Sequence, residues 1–445
     1  MAKIVILGAG LTGLSTAYHL EQLGYSDYQI FEQAPGVGGL CRSVTQDGFT
    51  FDYTGHLLHI SDPYFKEFIQ RTIGFDELLN IDRKAAIYSH ATYTPYPFQM
   101  NLYGLPQNVI IECITGFMER KKLRTKAPSF HQWVLAQFGQ GLGRHFFFPY
   151  QQKIFDTDTQ ALSASWTGRF VPKTSLDELL AGALARHETK AGYNAQFWYP
   201  RDGGIQRWIK SLHTAVIQPA RTLHTVTRID TVNKRVHFAN GAEESYQQLV
   251  STLPLDRLLG MLDEPSSSTL SRAQNKLHCT RVININLGIN RPELATNHWV
   301  YYPETTFPFY RIGFPSHLAP SMAPAGCSSL SIELSRRSTG TRLLKKSAGG
   351  NGSGDDQLLV ANAITEVKKL FKIEPQEIVT QKIINIDHAY VIFDRWRDRS
   401  IDGIHAQLNR LNIQSVGRYG QWKYASMQEG ILDGKATAAH TVSLL

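Results

Sequence analysis

The apolar and polar positions of this chain change period several times, and each change marks an element. Residues 3–7 form a short β-rich run, and residues 11–23 repeat their apolar positions at helical spacing. Residues 28–32 read as a second strand. From about 65 to 186 the pattern is mostly helix-like with aromatic-rich loops; 222–252 is β-rich; 281–333 carries alternating apolar strands. Within the β-rich part, GAEESYQQLVSTLP predicts a strand that returns to the N-terminal unit. A last helix, from about 430 to 444, closes the chain, and there is no internal repeat. Composition predicts a flexible surface loop at 347–356, SAGGNGSGDD. The pattern predicts a discontinuous domain of residues 1–90, 195–265 and 405–445, a helical insertion at 91–194, and a β-sheet unit at 266–404 with a flexible loop at 337–356.

The chemistry begins at the first strand-to-helix turn, where KIVILGAG runs into LTGLSTAYHL as Gly8-x-Gly10-x-x-Gly13. The first glycine permits the tight turn, the second lets backbone approach a pyrophosphate, and the third lets helix pack on strand. The free N–H groups and dipole of the helix N-terminus favour the anion. Glu32 ends the next strand at the spacing of an acid that grips a ribose hydroxyl. The following APGVGGLCRS places Gly38, Gly39 and Arg42 where they resemble the second signature of amine-oxidase-like flavoproteins, which favours FAD over NAD. The fold class predicted is α/β: an FAD-binding Rossmann-type, doubly wound parallel sheet with a βαβ unit, interrupted by a helical domain and an antiparallel β-sheet substrate domain.

Composition adds exclusions. A chain of 445 residues exceeds one compact core, and 42% apolar with 19% charged residues is ordinary for a globular enzyme. No run of eighteen apolar residues exists, and the N-terminal apolar run lacks a cationic leader, so neither a transmembrane helix nor a signal peptide is predicted. Cys41, Cys113, Cys279 and Cys327 are scattered without metal or redox spacing, which predicts reduced thiols in a cytoplasmic protein and no metal site. The net charge of +8 favours anionic partners, but no nucleic-acid-binding motif accompanies it. The oligomeric state is open.

Further motifs stand in order along nearly the whole chain: FDYTGHLLH (51–59), YPFQMN (96–101), FWYPRDGG (197–204), HWVYYPETTFPFYR (298–311) and GRYGQWKY (417–424). With them the chain resembles the UDP-galactopyranose mutases, especially the eukaryotic-type branch, within the amine-oxidase-like FAD superfamily. The resemblance implies an isomerase that interconverts pyranose and furanose forms of a UDP-sugar. In it N5 of reduced FAD attacks the anomeric carbon, with NADPH or NADH as reductant. It implies catalytic roles for His56, Arg311, Tyr390 and Tyr424. It implies FAD contacts from Gly8, Gly10, Leu11, Thr12, Gly13, Glu32, Gln33, Gly38, Gly39, Leu40, Arg42, Gly55, His56, Arg83, Val226, Arg418, Tyr424 and Gln428. Tyr96 and Gln99 would hold the uracil, with Tyr150, Gln151 and Phe155 lining the nucleotide pocket. Tyr301, Arg311, Tyr390 and Tyr424 would reach the diphosphate, because clamping that group needs a fixed guanidinium and several hydroxyl donors.

Three departures bear on the substrate. The family's WLGERVA appears as WTGRFVP, so Phe170 stands at the second clamp and Arg169 one residue earlier. RATIFSNYSP becomes RIGFPSHLAP, with Leu318 for a diphosphate tyrosine and His317 for an asparagine. GGTGGIW becomes Gly203-Gly204-Ile205-Gln206-Arg207-Trp208. Either Arg169 or Arg207 replaces the missing clamp, or the substrate is not UDP-galactose. Two alternatives stay open: an FAD-dependent oxidoreductase of the amine-oxidase, protoporphyrinogen-oxidase or desaturase type, and a flavin-loaded binding protein without catalysis.

Overall fold

The computed structural model describes residues 3–123, 126, 128–186, 195–263, 265, 268–338 and 354–445. Its α/β architecture starts from the strand Ile4–Leu7, whose four side chains are completely buried. That strand lies in a four-stranded parallel sheet, ordered Ile413–Ser415, Gln248–Ser251, Ile4–Leu7, Tyr28–Phe31. Gln248–Ser251 is the returning strand anticipated from the sequence, in parallel register with the first. The helix Leu11–Gln22 packs on this sheet, and the C-terminal helix Met427–Ser443 packs on that helix.

Glycine sets both approaches. A Cβ on Gly13 would stand 2.0 Å from the carbonyl oxygen of Gly8, and one on Gly434 would stand 2.5 Å from Ser15 Cβ. The two helices therefore sit side by side at backbone distance, which brings chain segments more than 400 residues apart to one edge of the sheet.

A seven-stranded sheet forms the second layer, ordered Ile378–Ile386, Thr280–Ile289, Ser328–Arg337, Arg311–Gly313, Trp299–Tyr301, Ala85–Ser89, Thr92–Pro95. Helices Gln107–Met118, Phe130–Gln137, Phe148–Phe155 and Leu176–Leu184 form the insertion. Serine begins two of them: Ser129 with Gln132, and Ser175 with Glu178, form reciprocal capping boxes. No helix among the described residues is long and apolar enough to cross a membrane. No group of three or more His, Cys, Asp or Glu among them could hold a metal ion.

The helical reading of 65–186 is corrected at its start. Leu78–Asp82, Ala85–Ser89 and Thr92–Pro95 are strands. Leu78–Asp82 pairs with Gln196–Pro200 and Ala85–Ser89 with Trp299–Tyr301, partners distant in sequence that no local pattern reveals. The boundary drawn at residue 90 thus cuts a hairpin that belongs to the large sheet. The loop expected at 337–356 is shorter among the described residues: Arg337 ends a strand, and Gly354 begins the helix Gly354–Phe371. Asp355 and Asp356 suit that helix N-terminus, and Asp356 pairs with Arg281 at 2.6 Å. Residues 339–353 and 187–194 lie outside the described residues.

Gly434→Ala is expected to lower stability by about 1–3 kcal/mol by forcing the two helices apart. Chemical denaturation of the flavin-loaded protein checks this; an unchanged midpoint would show that the helices have room to separate.

Candidate functional site

The C-terminal ends of the parallel strands and one face of the seven-stranded sheet enclose a cavity of about 660 Å³. At one end two glycine turns face each other. Gly8 adopts φ +94°, Gly38 donates its N–H to Ala9 O at 2.8 Å, and a Cβ on Gly39 would stand 3.3 Å from Gly10 Cα. Gly10 begins the helix Leu11–Gln22 without any side-chain cap, which leaves its first N–H groups for an anion at the cavity edge. Glu32 is buried, its two carboxylate oxygens accepting from Ala9 N–H and Ala34 N–H at 2.9 Å each. Arg42 is fixed by donating from Nε to Gly39 O at 2.8 Å. A bare helix end, a close backbone cradle, a carboxylate and a guanidinium make a donor and acceptor set that fits a dinucleotide pyrophosphate and its ribose.

Leu11, Thr12, Gln33, Leu40, Gly55, His56, Val226, Arg418 and Tyr424 join Gly8, Gly10, Glu32, Gly38, Gly39 and Arg42 in lining this cavity. Gly13 lies beneath it as a packing contact. Gln428 is turned elsewhere: its Oε1 accepts from Ser61 N–H at 2.8 Å and Asp62 N–H at 3.0 Å. The Arg83 guanidinium lies 4.7 Å from the centre of the Tyr96 ring rather than in the cavity lining.

Toward the large sheet the cavity is lined by Tyr301, Arg311 and Tyr390. Tyr96 and Tyr150 stand behind Tyr301, with ring centres 5.3 and 5.4 Å away, and the Phe155 ring lies 6.1 Å from that of Tyr390. Gln99 is committed to Pro172 O at 2.6 Å, and Gln151 is buried with Oε1 unpartnered; neither lines the cavity. Phe170 does line it, with its ring edge-on to Tyr424 at 4.5 Å, while the side chain of Arg169 lies outside the described residues. Leu318 lines the wall as well. Arg207 is corrected as a clamp: Glu77 holds its guanidinium at 3.0 Å, Asp202 stands 3.7 Å away, and the side chain is 45% exposed outside the cavity. It is the second residue of the helix Gln206–Thr214, beside Asp202 of the FWYPRDGG motif and Glu77, which lies outside the quoted motifs.

Several lining residues escaped the sequence reading. Glu333 is 2% exposed and binds Arg311 through two bonds, Nε to Oε1 at 2.9 Å and Nη2 to Oε2 at 2.8 Å. Tyr310 donates to the same Oε2 at 2.5 Å. The available signal was a lone acid inside the apolar alternation SLSIELS. His298, Trp299 and Asp52 also line the cavity. Asp52 accepts from Ser43 Oγ at 2.6 Å and Tyr199 OH at 2.7 Å, and burial raises its carboxyl to about 6.

Burial pushes the imidazoles of His56, His59 and His298 down to about 4, as it does His19 behind the first helix. At His56 the positive charges of Arg418 and Arg311 add to the effect. These rings are neutral at pH 7. Burial opposes the charge on Arg311, but Glu333 outweighs it and keeps the guanidinium firmly protonated.

The sequence profile of the family described as flavin containing amine oxidoreductase matches residues 11–438. The crystal structure of a reduced UDP-galactopyranose mutase superposes with a TM-score of 0.90 at 26% identity, covering 100% of this chain and 94% of that one. That of a CLA-producing fatty acid isomerase from P. acnes superposes at 0.66 with 14% identity, over 99% and 98% of the two chains, a likeness of fold alone. In sequence, the 4,4'-diapolycopene oxygenase of Methylomonas sp. is 22% identical over 388 residues, 74% of each chain. The family description implies a flavin, and the cradle fits FAD.

A neutral buried imidazole gives a defined pH response. Its folded pKa of about 4 lies below the ordinary 6.5, so its contribution is fully present above 6.5 and is lost as pH falls toward 4. Asp52, with a raised folded pKa of about 6, and Asp433, also raised by burial, act in the opposite sense, but among the described residues burial lowers eight histidines. The Tm of the flavin-loaded protein is expected to fall between pH 7 and pH 5 (thermal melts in matched ionic strength); a flat or rising Tm contradicts neutral buried rings.

Proposed function

The chain belongs to the flavin containing amine oxidoreductase family, and we propose that within it this protein is a sugar-nucleotide mutase, interconverting pyranose and furanose forms of a UDP-linked sugar. One observation carries the reading: Arg311, Tyr301, Tyr390 and Tyr424 ring the same cavity that contains the dinucleotide cradle. A diphosphate wants a fixed guanidinium with hydroxyl donors around it, whereas a lipid wants neither. Likeness to the solved mutase over the full chain supports the same substrate class.

In this reading FAD is held by Gly8, Gly10, Thr12, Glu32, Gly38, Gly39, Arg42, Gly55 and Arg418. When reduced by NADPH or NADH, it supplies a nucleophilic N5 for the anomeric carbon. Arg311 binds the diphosphate through the Nη1 that Glu333 leaves uncommitted, and Tyr390 and Tyr424 add hydroxyl donors. Their bonds to the departing diphosphate hold it in place for its return. His56, neutral, donates from Nδ1 to Thr54 O at 3.4 Å and keeps Nε2 as an acceptor without adding charge beside the sugar. Phe170 and Leu318 supply apolar walls that keep water from the opened sugar. Tyr96 and Tyr150 act from behind, by packing Tyr301 into position.

A second reading rests on those same apolar walls. Phe170, Leu318, Phe314 and Met322 line one side of the cavity, and a lipid-like substrate oxidised by FAD would suit them. Chemically reduced protein incubated with UDP-galactose and related nucleotide sugars decides between the two. A furanose product by chromatography supports the mutase. Full flavin loading with no product across the panel, and flavin bleaching by an apolar substrate, supports the oxidoreductase. Arg311→Lys, which keeps the charge but loses the planar fork, is expected to lower kcat/KM about tenfold to a hundredfold.

A further inference from the structure

Arg311 is not a free clamp. It stands directly across the strand pair from Glu333, and the carboxylate takes two of its donors. Tyr310 is tied to the same residue twice, by its backbone N–H to Glu333 O at 3.1 Å and by its hydroxyl to Oε2 at 2.5 Å. The Tyr310 hydroxyl lies 3.4 Å from that of Tyr390. A tyrosine has one hydroxyl proton, and Tyr310 gives its proton to Glu333. Its oxygen can then only accept, so Tyr390 is the donor in that contact.

We propose that Glu333 is a positioning residue for the diphosphate. Resting on the nucleotide-sugar reading above, it does two things. It locks one edge of the Arg311 guanidinium and so aims Nη1, and by taking the Tyr310 proton it leaves the Tyr390 proton to be given away. The long Tyr390 to Tyr310 contact is easily exchanged for a bond to an anionic phosphate oxygen, a stronger acceptor. The buried carboxylate thus sets both the direction of the cation and the order of hydroxyl protons along Arg311, Glu333, Tyr310 and Tyr390. The contrasting role, a carboxylate that only cancels the charge of a buried arginine, predicts the opposite result on removal. Losing it would free a full positive charge and tighten anion binding.

The test uses the full FAD-loaded chain and compares UDP with uridine by calorimetry, so that only the phosphate-dependent part of binding is read. The wild-type protein is expected to bind UDP more tightly than uridine. Glu333→Gln is expected to weaken UDP about tenfold or more while uridine affinity and the flavin absorption spectrum stay unchanged. Glu333→Asp, which retains the carboxylate, is expected to recover part of the loss. UDP affinity equal to or tighter than wild type in Glu333→Gln overturns the positioning role. If that variant does not fold, Tyr310→Phe keeps the ion pair and removes only the proton ordering. It is expected to weaken UDP severalfold, and unchanged affinity there overturns the proposal too. A wild-type protein that does not distinguish UDP from uridine removes the nucleotide-sugar reading together with this one. A wild type that does distinguish them, with a Glu333→Gln variant that matches it, removes only the role of Glu333.

Discussion

The helix Leu11–Gln22 must begin without a side-chain cap, within reach of a second glycine turn, and the first layer of the molecule is arranged around that requirement. Any Cβ at Gly13 would strike the Gly8 carbonyl, so only glycine lets the helix lie this close to its own strand. The same close approach recurs at Gly434, where the last helix meets the first, and the C-terminal segment is thereby delivered to the cavity wall. An uncapped helix end costs unpaired N–H groups. Here those groups are the binding site for an anion.

The second layer answers a different demand, which is to hold charge without water. Arg311 keeps its proton in a buried place because Glu333 sits opposite on the neighbouring strand. His56 loses its charge chiefly because it is buried, with the two guanidinium groups of Arg418 and Arg311 adding to the effect. Toward the large sheet the cavity therefore presents the Arg311 guanidinium, several phenol hydroxyls and a neutral ring, beside apolar walls from Phe170 and Leu318. A fold does not decide function by itself; the side chains that face the cradle across the cavity do.

Sequence by itself determined the cofactor end. Gly8, Gly10, Gly13 and Glu32 lie within one strand–helix–strand unit, so spacing alone fixes their geometry, and Gly38, Gly39 and Arg42 follow within ten residues. The strand Ile4–Leu7 was legible because a strand buried on both faces is apolar throughout, and the returning strand Gln248–Ser251 from the short β-rich stretch that holds it. Ordered motifs also marked Tyr301, Arg311 and Tyr424, and the family resemblance added Tyr390; the fold brings all four to one cavity.

Tertiary structure alone decided what those side chains can do. Leu78–Asp82 and Ala85–Ser89 became strands because distant partners complete their hydrogen bonds, which no local period encodes, and Thr92–Pro95 joins the sheet through its hairpin with Ala85–Ser89. Arg207 was drawn away by Glu77, with the nearby Asp202 beside it, and Gln99 by the carbonyl of Pro172; Glu77 and Pro172 reach these side chains from far along the sequence. Glu333 could not be matched to Arg311 from the sequence, since their pairing depends on strand register across a 22-residue separation. Local geometry follows from spacing, whereas a guanidinium's free donor depends on which carboxylate the fold places beside it.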